Sequence, residues 1–241
     1  MALYDGKGNS ISVGSEGLAT ILPGADIVVF GDSNVYYTYG HALTDNGSIF
    51  YRLWKEFGIG SLTNRGSNGA KTASVFGQLT NWATEETIAR YNKESTILIF
   101  HVATNDPLGH WTQEYNWDYS DKGNWYQVNN GVWSMGYISQ FISEYLPKCK
   151  YFWVIPTATD WSKWTGSTEP DERNMSEKYS YILKNLELWH IPYIDAYGQS
   201  GITTQMLSDG IHLGGGGWDY TTSATEKFYR FLRGKLTSRR I

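Results

Sequence analysis

Five short apolar runs, separated by longer amphipathic stretches, constrain this chain more than any other feature. Runs at about 27–31, 96–103 and 150–155 are strongly apolar, and weaker ones lie near 60–64 and 191–195. An apolar run without polar alternation suits a strand covered on both faces. Between the runs, apolar residues recur at helical spacing over about 43–57, 72–91, 134–146 and 173–189, with a last segment at about 221–237. Leu53, Trp54 and Phe57 form one stripe, Ile138, Phe141, Ile142 and Tyr145 a second, and Tyr181, Leu183, Leu186 and Leu188 a third. Short strands alternating with longer helices predict an α/β fold of βαβ units around a mostly parallel sheet. The chain has 241 residues and neither a Pro/Ser/Gly-rich linker nor an internal repeat, so residues 23–241 read as one domain. Residues 1–22 read as an arm or hairpin, because Asp5-Gly6-Lys7-Gly8-Asn9 is a turn signal between short extended segments.

Charge and cysteine content remove several classes of function. The net charge of −4 leaves no nucleic-acid footprint. Arg230, Arg233, Lys235, Arg239 and Arg240 instead suit the solvated face and end of a last helix, where cations complement the dipole. One cysteine, Cys149, makes neither an internal disulfide framework nor a Cys-rich zinc site. No apolar stretch approaches the ~20 residues of a membrane span, so no membrane partner is expected. The N-terminus lacks a signal-peptide core. Secreted, surface and phage-associated settings stay open, as does the oligomeric state.

In open parallel sheets, ligands bind outside the carboxyl ends of the strands. The first strand ends in Gly31-Asp32-Ser33-Asn34, where the glycine permits a sharp turn and the Ser33 hydroxyl is presented at the rim. The same tetrapeptide is ordinary turn chemistry. Asn64 to Thr72 follows the second strand, Thr104-Asn105-Asp106 the third, and the Trp161 loop the fourth, with Asp209 and His212 beyond the fifth. All of these fall on one edge. A serine nucleophile needs an imidazole to take its proton and a carboxylate to orient that imidazole. Ser208-Asp209-Gly210-Ile211-His212 supplies both from one loop, with Gly210 letting the chain fold back. His101 sits inside Ile-Phe-His-Val and reads as a core or rim histidine, and His41, His110 and His190 have no comparable context. Donors for an oxyanion are available from the Asn64-Arg65-Gly66-Ser67-Asn68-Gly69 backbone and from the Asn105 amide, although Asn-Asp-Pro is also a common turn or cap.

Gly31-Asp32-Ser33-Asn34, Asn64 to Gly69, Ala103-Thr104-Asn105-Asp106 and Asp209-x-x-His212 resemble, in this order, the four blocks of the SGNH/GDSL hydrolase superfamily. The resemblance spans nearly the whole expected sheet. It implies a three-layer α/β/α sandwich, flavodoxin-like, with about five parallel strands, so that residues 23–241 would form a single SGNH-like hydrolase domain. It also implies Ser33 as nucleophile, His212 as base and Asp209 as the orienting acid. Ser33 N–H, Gly69 N–H and the Asn105 amide would make the oxyanion hole, with no metal or organic cofactor. Three positions depart from the family pattern. Asn34 replaces the common leucine or isoleucine, and Ala103 stands where glycine is usual. His212 is followed by Leu-Gly-Gly-Gly-Gly, a floppier continuation than expected. The Ala103 methyl is expected to crowd the oxyanion site or shift the third strand.

Aromatic residues make up 16 % of the chain, and seven of its eleven tryptophans fall in stretches that read as loops. Trp111, Trp117, Trp125 and Trp133 lie in or beside an aromatic-rich insertion at about 107–133, Trp161 and Trp164 in another loop, and Trp218 after a glycine run. Tyr36, Tyr37, Tyr39, Tyr115, Tyr119 and Tyr126 accompany them. Such rings make stacking platforms with polar tips, or a small core that holds an insertion in place. The platform reading assigns Trp111, Trp161, Trp164 and Trp218 to substrate. It favours a small acyl group, acetyl, on a carbohydrate. Two alternatives stand beside a carbohydrate esterase: a non-catalytic glycan-binding or virion surface module on a hydrolase scaffold, and a lipase or thioesterase.

Overall fold

The computed structural model describes residues 3–4, 10–11, 23–112, 130–166 and 171–237. Strands β1 (Leu3–Tyr4) and β2 (Ser10–Ile11) pair antiparallel as a sheet of their own. The main sheet comprises β3 (Asp26–Gly31), β4 (Ser61–Asn64), β5 (Thr96–His101), β6 (Lys150–Ile155) and β7 (Tyr193–Asp195). Its order is β4-β3-β5-β6-β7 and every pairing is parallel. In order of appearance its strands lie 2-1-3-4-5, the flavodoxin-like doubly wound arrangement. The winding reverses between β3 and β5, which run in register from Asp26 opposite Thr96 to Gly31 opposite His101.

Alternate side chains of the central strands build two separate cores. Val28, Phe30, Leu98, Phe100, Trp153 and Ile155 pack with α3 (Thr72–Trp82), α5 (Gly131–Tyr145) and α7 (Met175–Leu188). Ile27, Val29, Ile97, Ile99, Phe152 and Val154 pack with α1 (Ser33–Thr38), α2 (Ile49–Phe57) and α9 (Ser223–Thr237). The chain is thus a three-layer α/β/α sandwich, and burial on both faces explains why the strand runs are apolar without alternation.

Local signals set the helix ends. Ser48 Oγ accepts the Tyr51 N–H, and Gly58 at φ +68° stops α2 in a left-handed cap. The expected helix over 72–91 is two helices, α3 and α4 (Glu85–Tyr91), because Thr84 caps a new start with Glu85 and Glu86 in its first turn. The segment expected as helix from 43 begins only at Ile49, since Asp45 holds the preceding turn by accepting the His41 and Ala42 N–H groups. Along α7 the buried face is Met175, Lys178, Ile182, Asn185 and Leu186, whereas Tyr181 and Leu188 of the expected stripe are exposed. The short helices α6 (Trp161–Thr165) and α8 (Ala196–Gln199) complete the α elements among the described residues.

Candidate active site

Ser33 is the first residue of α1, immediately after β3. Asp32 forms the N-cap, and its Oδ1 accepts the Asn34 N–H at 2.9 Å. A β-carbon at Gly31 would stand 2.2 Å from the His101 carbonyl oxygen, so the close passage of β3 against β5 admits only glycine there. Both backbone groups of Gly31 are taken by Gln78 of α3, at 3.1 Å each. The serine is therefore carried on a turn fixed from both sides. Burial raises the Asp32 carboxyl to about 6, against the pull of Thr104 and the Asn34 N–H.

Across the sheet edge, His212 Nε2 lies 2.8 Å from Ser33 Oγ and His212 Nδ1 lies 2.7 Å from Asp209 Oδ2. Asp209 Oδ1 accepts the N–H groups of Ile211 and His212 at 2.9 and 2.8 Å, which closes the loop into a compact hook. Burial alone would raise the Asp209 carboxyl, but the hydrogen bonds from the His212 ring and from these two N–H groups outweigh it and hold it below the ordinary value. Gly210, at φ +82°, sits against the Asp160 carbonyl, where a β-carbon would come within 2.2 Å.

The glycine run after His212 is a shaped turn rather than a floppy continuation. Gly215 and Gly216 adopt φ +65° and +80°. A β-carbon at Gly216 would lie 3.0 Å from Asp209 Oδ2, so its absence lets the turn close over the carboxylate.

A cleft of about 260 Å³ opens above Ser33, lined by Tyr37, Asn68, Gly69, Asn105, Trp161, Trp164 and His212 among others. Gly69 adopts φ +69° with open space beside it. Asn105 donates one amide hydrogen to the Ala70 carbonyl at 3.0 Å, and its amide nitrogen carries a second. The two donor loops are tied further through buried Asp106, which accepts the Thr72 N–H and hydroxyl at 3.0 and 2.9 Å. Ala103 adopts φ +115°, a conformation that favours glycine. The β5 register is nevertheless regular through His101, Ala103 is buried in the α3–α5–α7 core, and Asn105 still lines the cleft. The expected displacement of the strand does not occur.

Two supporting residues escaped the sequence reading. Asn34, the first departure from the family pattern, is 3 % exposed and holds the His212 hook on both sides. Its Oδ1 accepts the Leu213 N–H at 3.1 Å and its Nδ2 donates to the Ile211 carbonyl at 3.5 Å. Lys178, fully buried on α7, donates to the carbonyls of Thr104 and Asp106 on either side of Asn105. Burial lowers its ammonium to about 7, with Asp106 and Asp32 opposing that shift. The position of Asn34 inside the first block was the available signal. For Lys178 there was none, since one lysine on a polar helix reads as solvated.

The four tryptophans assigned to substrate separate. Trp161 and Trp164 line the cleft, and the Trp164 ring stands edge-on to His212 with centroids 5.5 Å apart. Trp218 does not line it but packs against Tyr37, which does. Trp111 is corrected outright. It is 2 % exposed in the α3–α5–α7 core, so close to Gly131 that a β-carbon there would come within 2.7 Å of the indole. Trp133 belongs to α5 and packs against the same core. Trp117, Trp125, Tyr115, Tyr119 and Tyr126 lie outside the described residues, as do Arg239 and Arg240. His101 is a core histidine: its Nδ1 meets the Tyr39 hydroxyl at 3.0 Å, and burial lowers it to about 3.

No protein-family model matches this chain, and no curated protein matches it significantly. Solved structures do match. A protein from Lactobacillus plantarum is 13 % identical with a TM-score of 0.58, covering 91 % of this chain and 100 % of its own. Axe2, an acetylxylan esterase from Geobacillus stearothermophilus, is 14 % identical with a TM-score of 0.54, covering 91 % and 97 %. A protein from Parabacteroides merdae described as a GDSL-like lipase is 15 % identical with a TM-score of 0.51, covering 86 % and 98 %. At these identities the likeness is one of fold. The sandwich built from this sequence is the fold that GDSL-type hydrolases use.

Proposed function

We propose that this chain is a serine esterase of the SGNH/GDSL type that removes a small acyl group, acetyl, from a carbohydrate. The observation that carries the reading is the unbroken chain from Ser33 Oγ through His212 to Asp209, at 2.8 and 2.7 Å, opening on a cleft that also holds Gly69 and Asn105. By accepting from Nδ1–H, Asp209 fixes the tautomer in which Nε2 is free to take a proton. Ser33 Oγ attacks the ester carbonyl as His212 takes its proton. The resulting oxyanion faces the Ser33 and Gly69 N–H groups and the second amide hydrogen of Asn105. Each such donor contributes about 2.7–4 kcal/mol to lowering a barrier of this kind. His212 then protonates the departing alcohol. Water, activated by the same imidazole, releases the acid from Ser33.

Cleft size and lining support the small acyl group and the sugar. About 260 Å³ lies just below the usual range of ligand pockets, which supports a small acyl group. Trp164 and Tyr37 supply ring surface, Trp161 lies buried at the cleft wall beneath Arg173, and Asn68 and Asn105 supply hydrogen-bonding groups. The fold shared with an acetylxylan esterase supports the same direction. Hydrolysis of p-nitrophenyl acetate tests the proposal. Wild-type turnover is expected, with a loss of about 10⁴-fold or more in Ser33→Ala. Equal glycan binding by both proteins with no turnover by either would instead support a binding module.

A further inference from the structure

A second depression, of about 370 Å³, lies beside the cleft and is lined by His41, Asp45, Asn46, Trp218 and Tyr220. Tyr37 separates the two. Its ring is 6.2 Å from that of His212 and 5.3 Å from that of Trp218, edge-on in both cases. Asn68 fixes this partition by donating to the Tyr37 hydroxyl at 2.9 Å. The shaped glycine turn after His212 leads directly into Trp218, whose indole packs against Tyr36, Tyr37 and His41 yet stays 47 % exposed. Trp164, whose ring meets His212 itself, is 55 % exposed. The two tryptophans with the most surface in solvent among the described residues thus connect to the same imidazole, Trp164 directly and Trp218 through the Tyr37 ring.

We propose that the His41–Asp45–Asn46–Trp218–Tyr220 depression is a second sugar subsite, so that the acyl group removed at Ser33 is carried by a unit within a glycan chain. The inference rests on the carbohydrate-esterase reading above and extends it to the length of the substrate. An indole covers the apolar face of a sugar ring, and polar groups at its margin meet the hydroxyls. Those groups are present. The Asn46 amide makes no hydrogen bond among the described residues, and Asp45 Oδ1 is left unused because Oδ2 alone holds the backbone of His41 and Ala42. The carboxylate disfavours an anionic ligand such as a phosphate chain, while a neutral polyol can donate to it. A chain crossing the Tyr37 partition would meet Trp164 in the Ser33 cleft and Trp218 in the second depression.

The test compares acetyl release from glucose penta-acetate with that from peracetylated cellobiose, and from xylose tetra-acetate with that from peracetylated xylobiose and xylotriose. In at least one series the wild type is expected to favour the longer substrate in kcat/KM by about tenfold, equivalent to about 1.4 kcal/mol. Trp218→Ala should remove that preference. Asn46→Ala, which deletes an exposed amide that makes no hydrogen bond among the described residues, should weaken it in the same direction. If the wild type releases acetate equally well from every length, or if Trp218→Ala and Asn46→Ala leave the preference intact, the subsite is refuted while the esterase stands. Failure on p-nitrophenyl acetate and all of the sugars would instead remove the esterase reading beneath it.

Discussion

The floor of the cleft and its rim use similar side-chain types under different restraints. On the floor, Asp209 holds His212 by ring and backbone, Asn34 holds the residues on either side of His212, and Asp106 and Lys178 hold the loop that carries Asn105. At the rim, Trp164 and Trp218 keep about half of their surface in solvent and are placed by ring contacts alone among the described residues. Reaction geometry tolerates little error, since a displacement of about 1 Å can lower the rate about 10²-fold. Sugar recognition by ring faces tolerates more. The hydrogen-bond network thus lies where position matters most.

Removing one tie from the floor breaks this contrast most strongly. Asn34→Leu restores the residue type common in the family but leaves the Leu213 N–H and the Ile211 carbonyl without their partner. We expect kcat on p-nitrophenyl acetate to fall by about 10²-fold with KM little changed, and stability to fall by about 1–3 kcal/mol. A variant with full kcat would mean that the hook positions His212 unaided.

A smaller effect probes the layer beneath the floor. His101 is held neutral by burial down to about pH 3, whereas an unfolded chain takes up its proton near 6.5. As pH falls through that window the unfolded state therefore binds the extra proton, and stability is lost by about 1 kcal/mol per unit. Asp32 acts with the opposite sign. Its folded carboxyl titrates near 6 and its unfolded one near 3.8, so folding gains stability as pH falls between them. In His101→Gln the His101 contribution is lost, while Asp32 and the other shifted groups, Lys178 among them, titrate as in the wild type. Urea denaturation at pH 7 and pH 5 should show the variant gaining on the wild type by about 1 kcal/mol for each unit below 6.5. A difference independent of pH would show that His101 accepts its proton in the folded state.

The strands, their order of appearance and the four blocks on one edge were legible because they depend on residue type and spacing along the chain. Apolar runs buried on both faces need no knowledge of partners, and Gly31 marked the sharp turn at the strand end, although not the close approach that His101 imposes on it. The fates of the tryptophans were not legible. Trp111 and Trp164 both follow polar loop residues, yet Gly131 makes room for one in the core while nothing covers the other among the described residues. Lys178 was hidden for a related reason: its acceptors are main-chain carbonyls more than seventy residues away, which no side-chain pattern displays. Asn34 was visible only as a departure from a family pattern, and its purpose emerged when the His212 hook lay beside it.

On the proposed mechanism, Ser33 forms a covalent acyl intermediate with the help of His212. Intact-mass and peptide analysis after exposure to a fluorophosphonate, which traps activated serines, tests it most directly. A single adduct on Ser33 is expected in the wild type, with much slower labelling in His212→Ala and none in Ser33→Ala. An adduct on another residue, or equal labelling of all three proteins, would contradict it.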